Sequence, residues 1–263
     1  HLVVLQSPLS FAKQPVQLAI VIDDMGNSSH DLLALQLPPA ITFAVLPYTT
    51  YAKKIANLAQ ERELLLHMPM QAKAHNNKLG PGALMLNMQE QEFKEQLSKA
   101  LYYLPDATGI NNHMGSALTE QIKQMQWTME VLDKKGFYFL DSRTTVRTIA
   151  ENTAKLSGIP ALRRHVFLDN IKTDKAMEQQ LQRAIDLGSA NFPIVIIAHP
   201  YPETIQFLLR KFKYENKQVE LVALQELLPQ STRLALAKKR SELQQVNNIA
   251  VNDAINKHNH HPQ

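Results

Sequence analysis

Six polar residues in this chain have the chemistry for a reaction centre, and each stands where an apolar run stops. Asp23 and Asp24 follow residues 18–22, and His67 follows 63–66. His113 follows a weaker run that begins at Thr108, Asp141 follows 137–140, and His199 follows 193–198. Adjacent carboxylates repel one another unless a cation lies between them or one of them takes a proton. A bound metal resolves that conflict. Carboxylate and imidazole donors suit zinc or another first-row divalent ion with one position open for water. The structural alternative for the aspartate pair is that one of them caps the helix that follows. A single histidine is more often a hydrogen-bonded structural residue than a ligand. Repeated arrival of Asp and His at strand ends is what packing alone does not explain.

Such groups meet only if the elements that carry them share an edge. Runs at 18–22, 41–46, 63–66, 108–112, 137–140, 162–168, 193–198 and 220–224 read as strands. Most are apolar on both faces, as in a sheet covered on both sides. Between them, 29–36, 50–61, 89–104, 119–135, 146–157, 174–188 and 203–213 have helical spacing. Thr119 is positioned to cap the fourth of these and Gly136 to end it. Residues 72–88 are long for a connection and are expected to lie beside the site. Alternating strands and helices argue for a parallel sheet with helical crossovers. Seven or eight such units in roughly 210 residues point to a (β/α) barrel, whose strand ends share one rim.

Composition narrows the partners. The chain has 263 residues, 44% of them hydrophobic, no cysteine and a net charge of +4. This is enough apolar content for a core and too little charge, with no motif, to imply nucleic acid. Gly26 stands alone, without a dinucleotide fingerprint, so no nucleotide cofactor is expected. No stretch has the ~18 apolar residues of a transmembrane helix. Residues 1–17 read as an N-terminal arm. The apolar runs at 2–5 and 9–12, with small residues at Ser10 and Ala12, are either the remnant of an export signal or a floppy arm. Residues 18–230 are the barrel domain. Residues 231–263 read as a helical extension fraying into a disordered tail with His258, His260 and His261.

The runs Ile22-Asp23-Asp24-Met25-Gly26, Leu66-His67-Met68-Pro69-Met70, Asn111-Asn112-His113-Met114-Gly115-Ser116, Asp141-Ser142-Arg143-Thr144, Val166-Phe167-Leu168-Asp169 and His199-Pro200 occur in that order. Together they resemble the divergent polysaccharide deacetylase family, including envelope proteins of Gram-negative bacteria, over residues 18–228. That family is related to the NodB-type carbohydrate esterases. The resemblance therefore implies an α/β fold, a distorted (β/α) barrel of about seven strands, and a divalent-metal site, zinc by preference. It makes Asp23 the general base, with Asp24 and His67 metal ligands. The family's second ligand imidazole falls on Gln71, and His113 from the neighbouring strand is expected to replace it. His199 corresponds to the general acid, with Asp141 expected to hold it protonated. The arginine-proline motif of NodB-type enzymes is not evident at 111–116.

Asn112, Arg143, Arg164 and Asp169 are expected on the substrate side. The arginines would hold an anionic part of a glycan or pair with Asp141 and Asp169. The Asn111-Asn112 pair would bond sugar hydroxyls or orient His113. The implied activity is metal-dependent removal of N-acetyl groups from an envelope glycan in the periplasm. The alternative is a non-catalytic glycan-binding or envelope-interaction protein on the same barrel. A glycosidase would use paired carboxylates but leave the histidines without a role.

Overall fold

The computed structural model describes residues 14–189, 191–214 and 217–258. The segment read as an export-signal remnant up to residue 13, and the tail carrying His260 and His261, lie outside the described residues. The apolar runs form β1 (Val16–Met25), β2 (Thr42–Val45), β3 (Leu64–Met70), β4 (Gly109–Met114), β5 (Tyr138–Asp141), β6 (Ala161–Arg163), β7 (Val166–Phe167), β8 (Ile194–Ala198) and β9 (Val219–Leu221). The strands are ordered β6-β5-β4-β3-β2-β1-β8-β7, and β9 pairs with the start of β1. All these pairings are parallel.

The two ends of that order are consecutive in the chain. Arg164 N bonds to Asp141 O on β5, and the next residue, His165, bonds through its N to Val195 O on β8. One stretch of chain thus pairs first with β5 and then with β8. It brings the sheet round into a distorted barrel of seven staves, with β6 and β7 as the two halves of one stave.

Outside lie α1 (Ala52–Leu58), α2 (Glu90–Tyr103), α3 (Ile122–Lys135), α4 (Ala150–Leu156), α5 (Asp174–Leu187) and α6 (Pro202–Lys211), followed by α7 (Gln230–His258). Among the described residues no helix is long and apolar enough to cross a membrane. Thr119 does not cap α3. Its hydroxyl donates to Gly115 O at 2.8 Å inside a preceding 3-10 turn, and α3 starts at Ile122 without a side-chain cap.

Side chains alternate across each strand, which divides the core in two. Ala19, Val21, Leu65, Leu140, Val195 and Ile197 fill the barrel. Ile20, Ile22, Leu66, Ile110, Phe139 and Ile196 face the helices. Counted forward along each strand, this parity places Asp23, His67, Asn111, His113, Ser142, Asp169 and His199 on the barrel side. Asn112 and Asp141 fall on the helix side.

Candidate active site

The aspartate pair is shaped by an irregularity in β1. Ile22 pairs with Phe43, but the next pair is Met25 with Val45, so three steps on β1 answer two on β2. The surplus residue is a β-bulge, and Asp24 takes the left-handed backbone region at φ 58°. In a regular strand Asp24 would point away from the barrel. The bulge turns it back, as bulges beside functional sites do. Both carboxylates then reach one imidazole: His67 Nε2 lies 3.1 Å from Asp24 Oδ1 and 3.7 Å from Asp23 Oδ2. Behind the bulge, Asp31 Oδ2 accepts from Gly26 N at 2.8 Å and Ser28 N at 3.0 Å.

His67 on β3 and Asn111 on β4 are register partners. Asn111 Oδ1 is 2.8 Å from His67 Nδ1, and Asn111 Nδ2 donates to Asp23 Oδ1 at 2.8 Å and Ser142 Oγ at 3.1 Å. An amide oxygen only accepts, so Nδ1 carries a hydrogen and Nε2 is the nitrogen available for coordination. His113, two residues on, places Nδ1 2.8 Å from Asp24 Oδ1, while its Nε2 lies 3.4 Å from Lys78 O in the long loop after β3. Each imidazole thus has its second nitrogen engaged by a protein oxygen, the usual support for a metal-binding histidine.

Asp24, His67 and His113 bring one ligand atom each to within 4.8 Å of one another. Three donors at bonding distance from a tetrahedral zinc would stand about 3.3 Å apart. The cluster fits a divalent ion.

Electrostatics separates the two aspartates. Burial favours the neutral form of Asp24, but hydrogen bonds from His113 and His67 outweigh it and hold that carboxyl well below the usual range. Burial pushes Asp23 up, and the charges of His67 and His199 offset only part of this. Burial likewise opposes charge on His67, yet Asp23 and Asp24 raise its proton affinity. A metal must therefore compete with a proton at Nε2.

His199, at the end of β8, closes the opposite side. Its Nε2 lies 3.9 Å from Asp24 Oδ2 and its Nδ1 2.9 Å from Asp169 Oδ1. Asp169 is buried and also accepts from His199 N at 2.7 Å and Thr204 Oγ1 at 2.9 Å. Burial works against the imidazolium, but the Asp169 hydrogen bond prevails and raises His199 to about 9.

The model of the divergent polysaccharide deacetylases matches residues 20–228. The chain belongs to that family. Among curated relatives, the uncharacterised protein YibQ of Escherichia coli K12 is 36% identical over 230 residues, covering 86% of this chain and 70% of that protein. An uncharacterised protein of Haemophilus influenzae Rd is 34% identical over 226 residues, covering 85% of this chain and 80% of that protein. The crystal structure of the uncharacterised protein ATU2773 from Agrobacterium tumefaciens C58 superposes with a TM-score of 0.75 at 20% identity, over 82% of this chain and 90% of that one. It shares the fold.

Within this member of the divergent polysaccharide deacetylase family, three expected placements change. Asp141 does not meet His199. It points to the helix side, where it accepts from Arg143 N at 2.8 Å, Thr148 Oγ1 at 2.9 Å and Glu151 N at 3.3 Å. Asp169, expected on the substrate side, is the buried partner of His199 instead. Asn112, on the helix-side parity, donates to Met114 O and accepts from Ser142 N, so it braces the ends of β4 and β5. It is Asn111 that faces the site, and it orients His67 rather than His113. Neither arginine forms the expected pair with Asp141 or Asp169. Arg164 donates to Ser142 O and Arg143 O, and Arg143 follows β5 in a left-handed conformation at φ 50°. Strand parity is the signal that would have separated Asp169 from Asp141, but it needs a register that the sequence does not display.

Proposed function

We propose that this protein removes N-acetyl groups from a bacterial envelope glycan by metal-dependent hydrolysis. The observation that carries this reading is the convergence on one rim of three metal donors, a buried carboxylate and an acid-partnered imidazole. Asp24 Oδ1, His67 Nε2 and His113 Nδ1 would hold the ion, and one carboxylate with two imidazoles suits zinc. A divalent ion bound there would supply a Lewis acid that polarises the acyl oxygen and makes water more acidic.

The remaining work falls to the chain's own residues. Asn111 pins Asp23 Oδ1 and leaves Oδ2 on the cluster side to take the proton of the attacking water. The raised proton affinity of Asp23 suits that role. His199 keeps Nδ1–H on Asp169 and presents Nε2–H to the leaving nitrogen. Water adds to the acyl carbon, the C–N bond breaks, Asp23 holds the water's proton and the amine leaves with the proton of His199. Acetate and a free amino sugar result. We assign the protein to the periplasm, a reading that rests on the apolar N-terminal segment and on an envelope substrate. Osmotic-shock fractionation tests it.

The test of the reaction uses the full chain with His258→Asn, His260→Asn and His261→Asn, so that tail histidines bind no zinc. One zinc ion per chain, lost in Asp24→Ala and in His67→Ala, together with zinc-dependent acetate release from N-acetylated glycans, is the expected result. Absence of a zinc-induced rise in thermal stability sinks the hydrolase. Glycan binding without acetate release would establish the non-catalytic reading in its place.

A further inference from the structure

Arg164 is linked to His199 through the ring of Phe167 and Arg143 adjoins Arg164, and among the described residues neither guanidinium is ion-paired with a carboxylate. Arg164 is held firmly: Nε donates to Ser142 O at 2.7 Å and Nη2 to Arg143 O at 2.8 Å. Its guanidinium lies 3.8 Å over the ring of Phe167, which is itself stacked with His199 at 6.2 Å and 21°. All these partners are neutral, so they fix the position of the charge without balancing it. Arg143 adjoins it, half-buried in its left-handed conformation, and among the described residues its guanidinium has no hydrogen-bond or ion-pair partner.

The carboxylates nearby are already hydrogen-bonded elsewhere. Asp141 faces α4, Asp169 serves His199 and Thr204, and Asp23 is bound by Asn111. Burial lowers the pKa of Arg164 to about 10, the charge of Arg143 adds to this, and the more distant charges of Asp141 and Asp23 offset only part of it. Half-buried charges without an ion-paired carboxylate are costly, and two cations near one another repel. An anion held between them relieves both effects. The planar guanidinium fork matches the oxygens of a carboxylate or phosphate.

We infer that Arg143 and Arg164 form an anion subsite beside the reaction centre, so that the glycan handled here carries a carboxylate or phosphate next to its acylated sugar. The substrate assignment rests on the deacetylase reading; the binding itself does not.

The test compares three probes of equal length: a neutral N-acetylglucosamine oligomer, one with carboxylate-bearing alternate sugars, and one with a phosphate ester. Zinc-loaded full chain is assayed by calorimetric binding and by acetate release. The expected result is about tenfold or greater preference for one acidic oligomer, weakened by salt. That preference collapses towards one in Arg143→Gln and is partly kept in Arg143→Lys. The carboxylate and phosphate arms show which anion is preferred. Equal binding of neutral and acidic oligomers, or a preference untouched by Arg143→Gln, overturns the subsite. Acetate released equally from all three leaves the deacetylase standing and removes the subsite. Arginine-dependent binding of an acidic oligomer without acetate release does the reverse.

Discussion

Asn111 ties the proposed metal donors to the proposed base, because one amide serves both. Its oxygen fixes the hydrogen of His67 on Nδ1 and its nitrogen immobilises Asp23. Removing this partner in Asn111→Ala should weaken zinc binding about 10–100-fold, measured by competition with a chelating dye. An unchanged affinity would mean that the His67 tautomer is set by something else. The pairing of His199 with Asp169 makes a separate prediction about pH. A general acid works while protonated, so kcat/KM should fall as pH rises through the His199 value of about 9. In Asp169→Asn the hydrogen bond to a charged oxygen is gone, and the alkaline limb should move down towards the ordinary 6.5. A limb that stays in place would rule out His199 as the acid.

At the scale of the element, the bulge in β1 decides whether the aspartate pair can act together. Gly26 supports it: φ is +123°, and an added Cβ would stand 2.2 Å from Thr49 Oγ1. Gly109, at the far end of β4, offers a control, since a Cβ there would lie 2.7 Å from the Tyr138 ring. Gly109→Ala should cost about 1–3 kcal/mol by overpacking and leave zinc affinity intact. Gly26→Ala should lower both stability and zinc affinity, because its strain sits two residues from the proposed ligand Asp24. Denaturant unfolding and zinc titration of the two variants separate these effects. Equal zinc affinities would show that the bulge tolerates displacement of its turn.

Across the whole molecule, the end of the barrel opposite the rim is tied together by polar groups. Glu63 is buried there, accepting from Thr108 Oγ1 and Tyr138 Oη at 2.7 Å, Gln225 N at 2.8 Å and Thr42 Oγ1 at 3.2 Å. Nearby, Arg240 of α7 donates to Gly136 O at 2.6 Å and Thr108 O at 3.3 Å. Burial raises the Glu63 pKa above its ordinary 4.5, with the hydrogen bonds offsetting only part. Above 4.5 the unfolded chain releases this proton while the folded chain still holds it. Stability therefore falls as pH rises from 4.5 to the folded-state value, then levels off. Glu63→Gln should remove that slope, because a neutral amide has no proton to lose and the Thr108 and Tyr138 hydroxyls can turn to accept. Thermal midpoints measured across this range check it; a slope that persists in the variant belongs to another group. Arg240→Ala should cost about 1.5–3 kcal/mol in denaturant titration, by releasing α7 from the barrel.

The sequence by itself determined the order of strands and helices, the parallel class of the sheet and the set of strand ends at which Asp and His collect. Those follow from local facts: apolar runs of strand length, helical spacing between them, and polar residues where each run stops. What it left open is which side of each strand a residue faces. Strands buried on both faces are apolar at every position, so no alternation betrays the parity that puts Asp169 and Asn111 inside and Asp141 and Asn112 outside. Only the register between strands, and a one-residue bulge invisible in composition, decided that Asp23 and Asp24 reach the same imidazole. The pairing of Asp169 with His199 and, among the described residues, the lack of an ion pair at the Arg143 and Arg164 guanidiniums likewise depend on residues brought together by barrel closure across a stave that changes partners at residues 164 and 165.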